Sequence, residues 1–170
     1  MKFDTLISSD AVISSPEIKS KKRALELLAE HLATEALQAS PVADNNDADT
    51  IDSLKIFQLL VEREKLGSTC MGHGVALPHT RTNLTDRAIG AFLKLDKGID
   101  FDGPDDQPTD LIFALMVPED YTDEHLQILA NLASLFNDKK FCTKIRNMND
   151  NQDIHNHFIH WQPAEPTSPT

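Results

Sequence analysis

Leu111-Ile112-Phe113-Ala114-Leu115-Met116-Val117 runs without a polar residue between Asp110 and Pro118. A strand with one wet face alternates apolar and polar side chains, whereas a short unalternated apolar run closed by turn residues reads as a strand covered on both faces. Such a strand needs helices above and below it. Upstream, Ala24, Leu27, Leu28, Leu32 and Leu37 recur at helical spacing behind Ser20 as N-cap, and Leu54, Phe57, Leu60 and Val61 mark the buried stripe of a second helix capped by Thr50. That second helix runs to Leu66 and stops at Gly67, in the C′ position where a positive φ is cheap for glycine. Downstream, Thr122 or Asp123 opens a helix carrying Leu126, Ile128, Leu129, Leu132, Ala133, Leu135 and Phe136. Shorter helices follow around Phe141, Ile145 and Met148, and around Ile154, Phe158 and Ile159.

A second apolar strand is expected over Ala88–Leu95, turned off by Asp96-Lys97-Gly98. Residues 1–19 read as an arm laid over the domain without regular structure, and residues 40–49 as a polar surface loop between two helices. The expected fold class is α/β, a small mixed β-sheet flanked by helices on both faces. At 170 residues the chain is long enough for one well-buried core. A single domain is expected over residues 1–161, with a disordered, proline-bearing tail over 162–170.

Sixteen basic residues against 27 acidic ones give a net charge of −11, which argues against nucleic acid or anionic lipid as a bulk electrostatic partner. Any anionic ligand must then be met by a local basic cluster. Cys70 and Cys142 lie far apart and in no metal-binding spacing, and no segment reaches the roughly 20 apolar residues of a membrane span. A cytoplasmic protein with no membrane insertion is expected.

The segment from Arg63 to Arg81 joins a helix end, the glycines Gly67, Gly72 and Gly74, a short apolar strand and Leu77-Pro78-His79. Proline locks its own φ and drives the preceding residue into an extended conformation, so His79 is held on a stiff support. The segment contains no nucleophile elbow, zinc helix or P-loop, and it does not complete a dinucleotide fingerprint. Imidazole is a nucleophile near neutral pH, and phosphoryl transfer asks the protein for little beyond positioning and charge neutralisation. Arg63 and Arg81 flank the segment as neutralising groups, Ser68 and Thr69 offer hydroxyl donors, and a glycine-rich loop can aim N–H groups at an anion. From the residues alone, a structural strand-end histidine and a phosphoryl acceptor remain equal readings.

Arg63-Glu64-Lys65-Leu66-Gly67-Ser68-Thr69, the Gly-x-Ala-x-Pro-His pattern at Gly74–His79, and Asp106–Pro118 followed by His125 closely resemble the fructose/mannitol-type enzyme IIA family of the bacterial phosphoenolpyruvate phosphotransferase system, its nitrogen-regulatory members above all. The resemblance spans residues 5 to 160. It implies that His79 accepts a phosphoryl group from a histidine phosphocarrier protein, that Arg63 lies at the site, and that His125 hydrogen-bonds the acceptor or its phosphoryl oxygens. It implies no metal, nucleotide or other cofactor. Cys70, His73 and Thr80 depart from the residues common in the family.

By the same resemblance the downstream role is regulation of partner proteins such as a potassium transporter or a sensor kinase. The alternatives are sugar uptake through an enzyme IIB, or a non-covalent docking regulator that is never phosphorylated. A metal hydrolase built on His73, His79 and His125 is a further class, and it predicts stoichiometric zinc. His155, His157 and His160 read as a solvated terminal helix, and Asp102, Asp105 and Asp106 as a wet acidic loop.

Overall fold

The computed structural model describes residues 3–39 and 52–162. The 40–49 loop, Thr50 and nearly all of the proline-bearing tail lie outside the described residues. The elements in order are α1 (Phe3–Leu6), a 3-10 turn (Ser9–Ala11), β1 (Val12–Ser14), α2 (Lys21–Ala39), α3 (Ser53–Lys65), β2 (Cys70–Gly72), β3 (Val75–Ala76), β4 (His79–Thr82), β5 (Ile89–Ile99), β6 (Thr109–Pro118), α4 (Asp123–Asn137), α5 (Lys139–Arg146) and α6 (Asn151–His160). Six strands form one mixed sheet in the order β1-β5-β6-β3-β2, and β4 joins β6 on the same edge as β3.

Strand β6 is the centre of this sheet. Every side chain from Leu111 to Val117 is buried. The strand pairs antiparallel with β5, with Phe92 opposite Phe113, and parallel with β3 and β4. Pro78 explains why one edge carries two short strands: it has no N–H to give to a ladder, so pairing breaks between Ala76 and His79, and its carbonyl accepts from Leu115 N–H at 2.9 Å.

Each face of the sheet has its own helical layer. Phe92 and Phe113 meet Phe136 of α4 and Phe158 of α6, with ring centroids from 4.8 to 6.3 Å apart. Phe141 of α5 closes that cluster against Phe136 and Phe158. Opposite, α2 and α3 pack on each other, α2 against β5 and α3 against β4. The buried positions Ile56, Leu60 and Glu64 recur every four residues along α3.

Several sequence expectations shift. The N-terminal arm contains a real strand: Val12, Ile13 and Ser14 pair in parallel with Phe92, Leu93 and Lys94. Three residues are too few to show a period, and the free edge of β5 supplies the pairing. The turn expected at Asp96-Lys97-Gly98 is instead an irregular continuation of β5, whose register with β6 shifts between Lys94 and Ile99. The side chain that caps α3 is Asp52, which accepts from Leu54 N–H at 2.9 Å. Leu54, read as part of the buried stripe of its helix, is 56% exposed, and Leu37 and Leu126, at the ends of their helical patterns, are 52 and 66% exposed. Ser20 caps α2 as expected, accepting from Arg23 N–H. No helix among the described residues is long and apolar enough to cross a membrane.

Gly90 marks a point of closest packing, because a Cβ there would meet the Phe113 ring at 2.5 Å. Gly90→Ala is expected to lower stability by about 1–3 kcal/mol, the usual range for overpacking a core, read as a lower urea midpoint with an unchanged slope.

Candidate functional site

Strand β4 decides where His79 points. Thr80 and Thr82 are buried, while His79 and Arg81 alternate onto the opposite, accessible side. The His79 ring is fixed by its own backbone, since Nδ1 lies 2.8 Å from the Leu77 carbonyl oxygen. A carbonyl only accepts, so Nδ1 carries the proton and Nε2 keeps the lone pair. Burial lowers the pKa of His79. The hydrogen bond to Leu77 opposes that shift, the Arg63 charge adds to it, and Glu64 also opposes it.

His125, in the first turn of α4, stands edge-on to His79 with ring centroids 5.2 Å apart. Burial first, then the charges of His79 and Arg81, lower its pKa from 6.5 to about 4. It is therefore neutral at pH 7, and its buried Nε2 has no hydrogen-bond partner. Arg63, on the last turn of α3, donates from Nη1 to the Gly67 carbonyl at 2.8 Å, which ties the helix end to the following loop. These residues line a cleft of about 640 Å³ together with Arg81, Leu66 and Leu126.

The hydroxyls of Ser68 and Thr69 are engaged away from this cleft. Ser68 Oγ donates to the Phe101 carbonyl at 2.6 Å and accepts from Cys70 N–H, and the Thr69 hydroxyl and N–H both donate to Glu64. Both residues shape the loop between α3 and β2. The glycine loop is the turn of the β2–β3 hairpin, where His73 and Gly74 have φ of 56 and 81°, the pair of positive values a type I′ turn requires. Its amide goes to a side chain of the protein: His73 N–H donates to Asp105 Oδ2 at 2.7 Å, and the His73 carbonyl accepts from Arg146. His73 lines a separate cavity beside Arg146, so it does not join His79 and His125.

Sequence reasoning passed over Glu64, although it stands inside the Arg63–Thr69 motif. Its carboxylate is buried, paired with Lys21 Nζ at 2.9 Å, and bound to the Thr69 backbone. The signal was available as an acid on the helix face that also carries Ile56 and Leu60. Among the departures from the family pattern, Cys70 Sγ is buried 3.4 Å from the Thr109 hydroxyl, and Thr80 is a buried rung opposite Met116. The α6 histidines are more structural than a solvated helix implies. His155 Nε2 donates to the Ile7 carbonyl at 2.9 Å, and His157 stacks on Phe141 at 4.5 Å.

Comparison with known proteins adds an independent line. Residues 5–161 match the family model described as phosphoenolpyruvate-dependent sugar phosphotransferase system, EIIA 2. The nitrogen regulatory protein of Bradyrhizobium diazoefficiens is 36% identical over 155 residues, covering 91% of this chain and 93% of the relative. The nitrogen regulatory protein of Escherichia coli K12 is 35% identical over 156 residues, covering 91 and 88%. Among solved structures, nitrogen regulatory protein IIA-Ntr from Neisseria meningitidis superposes with a TM-score of 0.80 at 31% identity, covering 92% of this chain and 98% of that one. Escherichia coli IIA mannitol shares the fold at a TM-score of 0.66 and 17% identity.

Because the His125 pKa is depressed in the fold, the unfolded chain takes up this proton first on acidification. The His125 contribution to stability is complete above pH 6.5 and is lost as pH falls toward 4. Histidine-resolved NMR titration is expected to show His125 still neutral where an ordinary histidine is half protonated and titrating only near pH 4, and His125→Gln is expected to flatten the acid limb of stability against pH.

Proposed function

The chain belongs to the EIIA 2 family of the phosphoenolpyruvate-dependent sugar phosphotransferase system, and from that membership we propose that His79 Nε2 accepts a phosphoryl group from a histidine phosphocarrier protein. The observation that carries this reading is the 2.8 Å contact of Nδ1 with the Leu77 carbonyl, which leaves Nε2 as the nitrogen with a lone pair in the cleft. In an in-line displacement that lone pair attacks phosphorus, the donor's P–N bond breaks, and its electron pair returns to the donor imidazole. The proton on His79 Nδ1 stays where it is. Its bond to Leu77 helps bear the positive charge that develops on the ring.

The phosphoryl oxygens then need donors. Arg63 spends one N–H on Gly67 and has others to offer. His125 is neutral, and its unpartnered Nε2 can carry the proton and donate it as a hydrogen bond. A buried polar nitrogen without a partner costs about 1–3 kcal/mol, so an oxygen arriving beside His125 relieves a cost already present in the resting fold. Ser68 and Thr69 serve indirectly by holding the loop that carries Gly67.

Leu66 and Leu126, 85 and 66% exposed, flank the cleft. Exposed leucines beside a shallow reactive site favour a macromolecular donor over a small phosphoanhydride. The likeness over most of the chain to nitrogen regulatory proteins supports a regulatory outcome, in which the phosphorylated and free forms act differently on partners such as a potassium transporter or a sensor kinase. We place this activity in the cytoplasm.

Incubation with phosphoenolpyruvate, the first enzyme of the system and its histidine carrier is expected to give an acid-labile, base-stable label on the wild type and none on His79→Ala. Arg63→Gln and His125→Ala are each expected to slow labelling roughly tenfold to hundredfold, the scale of losing one hydrogen bond to a charged group. A wild type that takes no label would overturn the proposal.

A further inference from the structure

In a chain of net charge −11, the cleft at His79 holds two arginines without a carboxylate partner. Arg146 is bound by Asp110 and Arg23 by Glu26 and Glu30. Arg63 and Arg81 make no ion pair among the described residues, although Glu62, Glu119 and Asp123 line the same cleft. Arg63 enters from the end of α3, whereas Arg81 comes from β4, two residues beyond His79 and on the same side of the strand. The Arg81 guanidinium is held only at its edge, with Nη1 donating to the Tyr121 carbonyl at 3.3 Å. Tyr121 N–H is in turn bonded to the Pro118 carbonyl, so this contact bridges β4 to the turn that leads into α4 and His125.

We propose that Arg81 is a second phosphoryl-binding cation, closing on the Nε2-phosphoryl group from the β4 side while Arg63 meets it from α3; this rests on the reading of His79 as the acceptor. A phosphoryl group carries close to two negative charges at neutral pH. A single guanidinium leaves about one of them uncompensated inside a partly buried site. Two guanidiniums on different elements satisfy that charge and present donors from two directions. The charge of Arg81 also reaches His125, whose pKa it depresses. That influence adds to burial and to the His79 charge, the larger causes of His125 being neutral.

The test is single-turnover phosphotransfer from the labelled histidine carrier to wild type, Arg81→Gln and Arg81→Lys, with the carrier concentration varied. Arg81 is exposed, and matched melting curves check that all three proteins are folded. Expected is a roughly tenfold fall in the saturating transfer rate of Arg81→Gln, a smaller labelled fraction at equilibrium, little change in the carrier concentration needed for half-saturation, and partial recovery in Arg81→Lys. NMR titration of unphosphorylated Arg81→Gln is expected to show the His125 pKa raised. Transfer by Arg81→Gln at the wild-type rate and extent overturns the inference, as does a change confined to half-saturation, which assigns Arg81 to docking alone. An unlabelled wild type removes the acceptor reading together with this one, and the wild-type lane tells that case apart.

Discussion

The buried strand β6 is the constraint on which the structure depends. With both faces covered and neighbours on both edges, its backbone groups must be paired within the sheet, because water does not reach them. Antiparallel β5 satisfies one edge. On the other, Pro78 interrupts the partner, and two short parallel strands share the work of one. The consequence is positional: the chain resumes pairing at His79, opposite Leu115, so this histidine sits at the first rung after a rigid break, with its ring oriented by the carbonyl of Leu77.

Around that rung, polar groups are held at the cost of burial. Glu64 lies at the end of an otherwise apolar stripe on α3 and is kept there by Lys21 and the Thr69 backbone, while Lys21 also lies over the Phe101 ring, 4.6 Å from its centroid. Burying a carboxylate without such partners would be strongly unfavourable. The arrangement pins the turn from Leu66 to Cys70, and with it Gly67, the residue against which Arg63 leans. His125 Nε2 is different in kind, because nothing in the fold satisfies it. Two arginines without an ion pair among the described residues and an imidazole nitrogen without a hydrogen-bond partner thus border one cleft.

Legibility in the sequence followed the length and regularity of each signal. The 111–117 run, the helix behind Ser20 and the Pro-His pair carry strong local chemistry, and each lies in the structure where its pattern places it. Strand β1 was invisible because three residues carry no period. Leu54 was misread as part of the buried stripe because periodicity reports a stripe and not its exact edge. The glycine loop was misjudged for another reason: positive φ serves a tight hairpin as well as an anion nest, and only the position of Asp105 beneath His73 decides between them.

By itself the sequence determined the α/β class, the central strand, the conspicuous histidine and the motifs that relate this chain to its family, since these depend on side-chain type and spacing along a few residues. Tertiary structure decided which nitrogen of His79 is free, that His125 stands against it, that Glu64 belongs to the site's support, and that Ser68, Thr69 and His73 are engaged elsewhere. Those facts depend on contacts between residues far apart in the chain, 46 positions between His79 and His125 and 73 between His73 and Arg146. Such contacts exist only once β6 has been enclosed and its neighbours are brought into register.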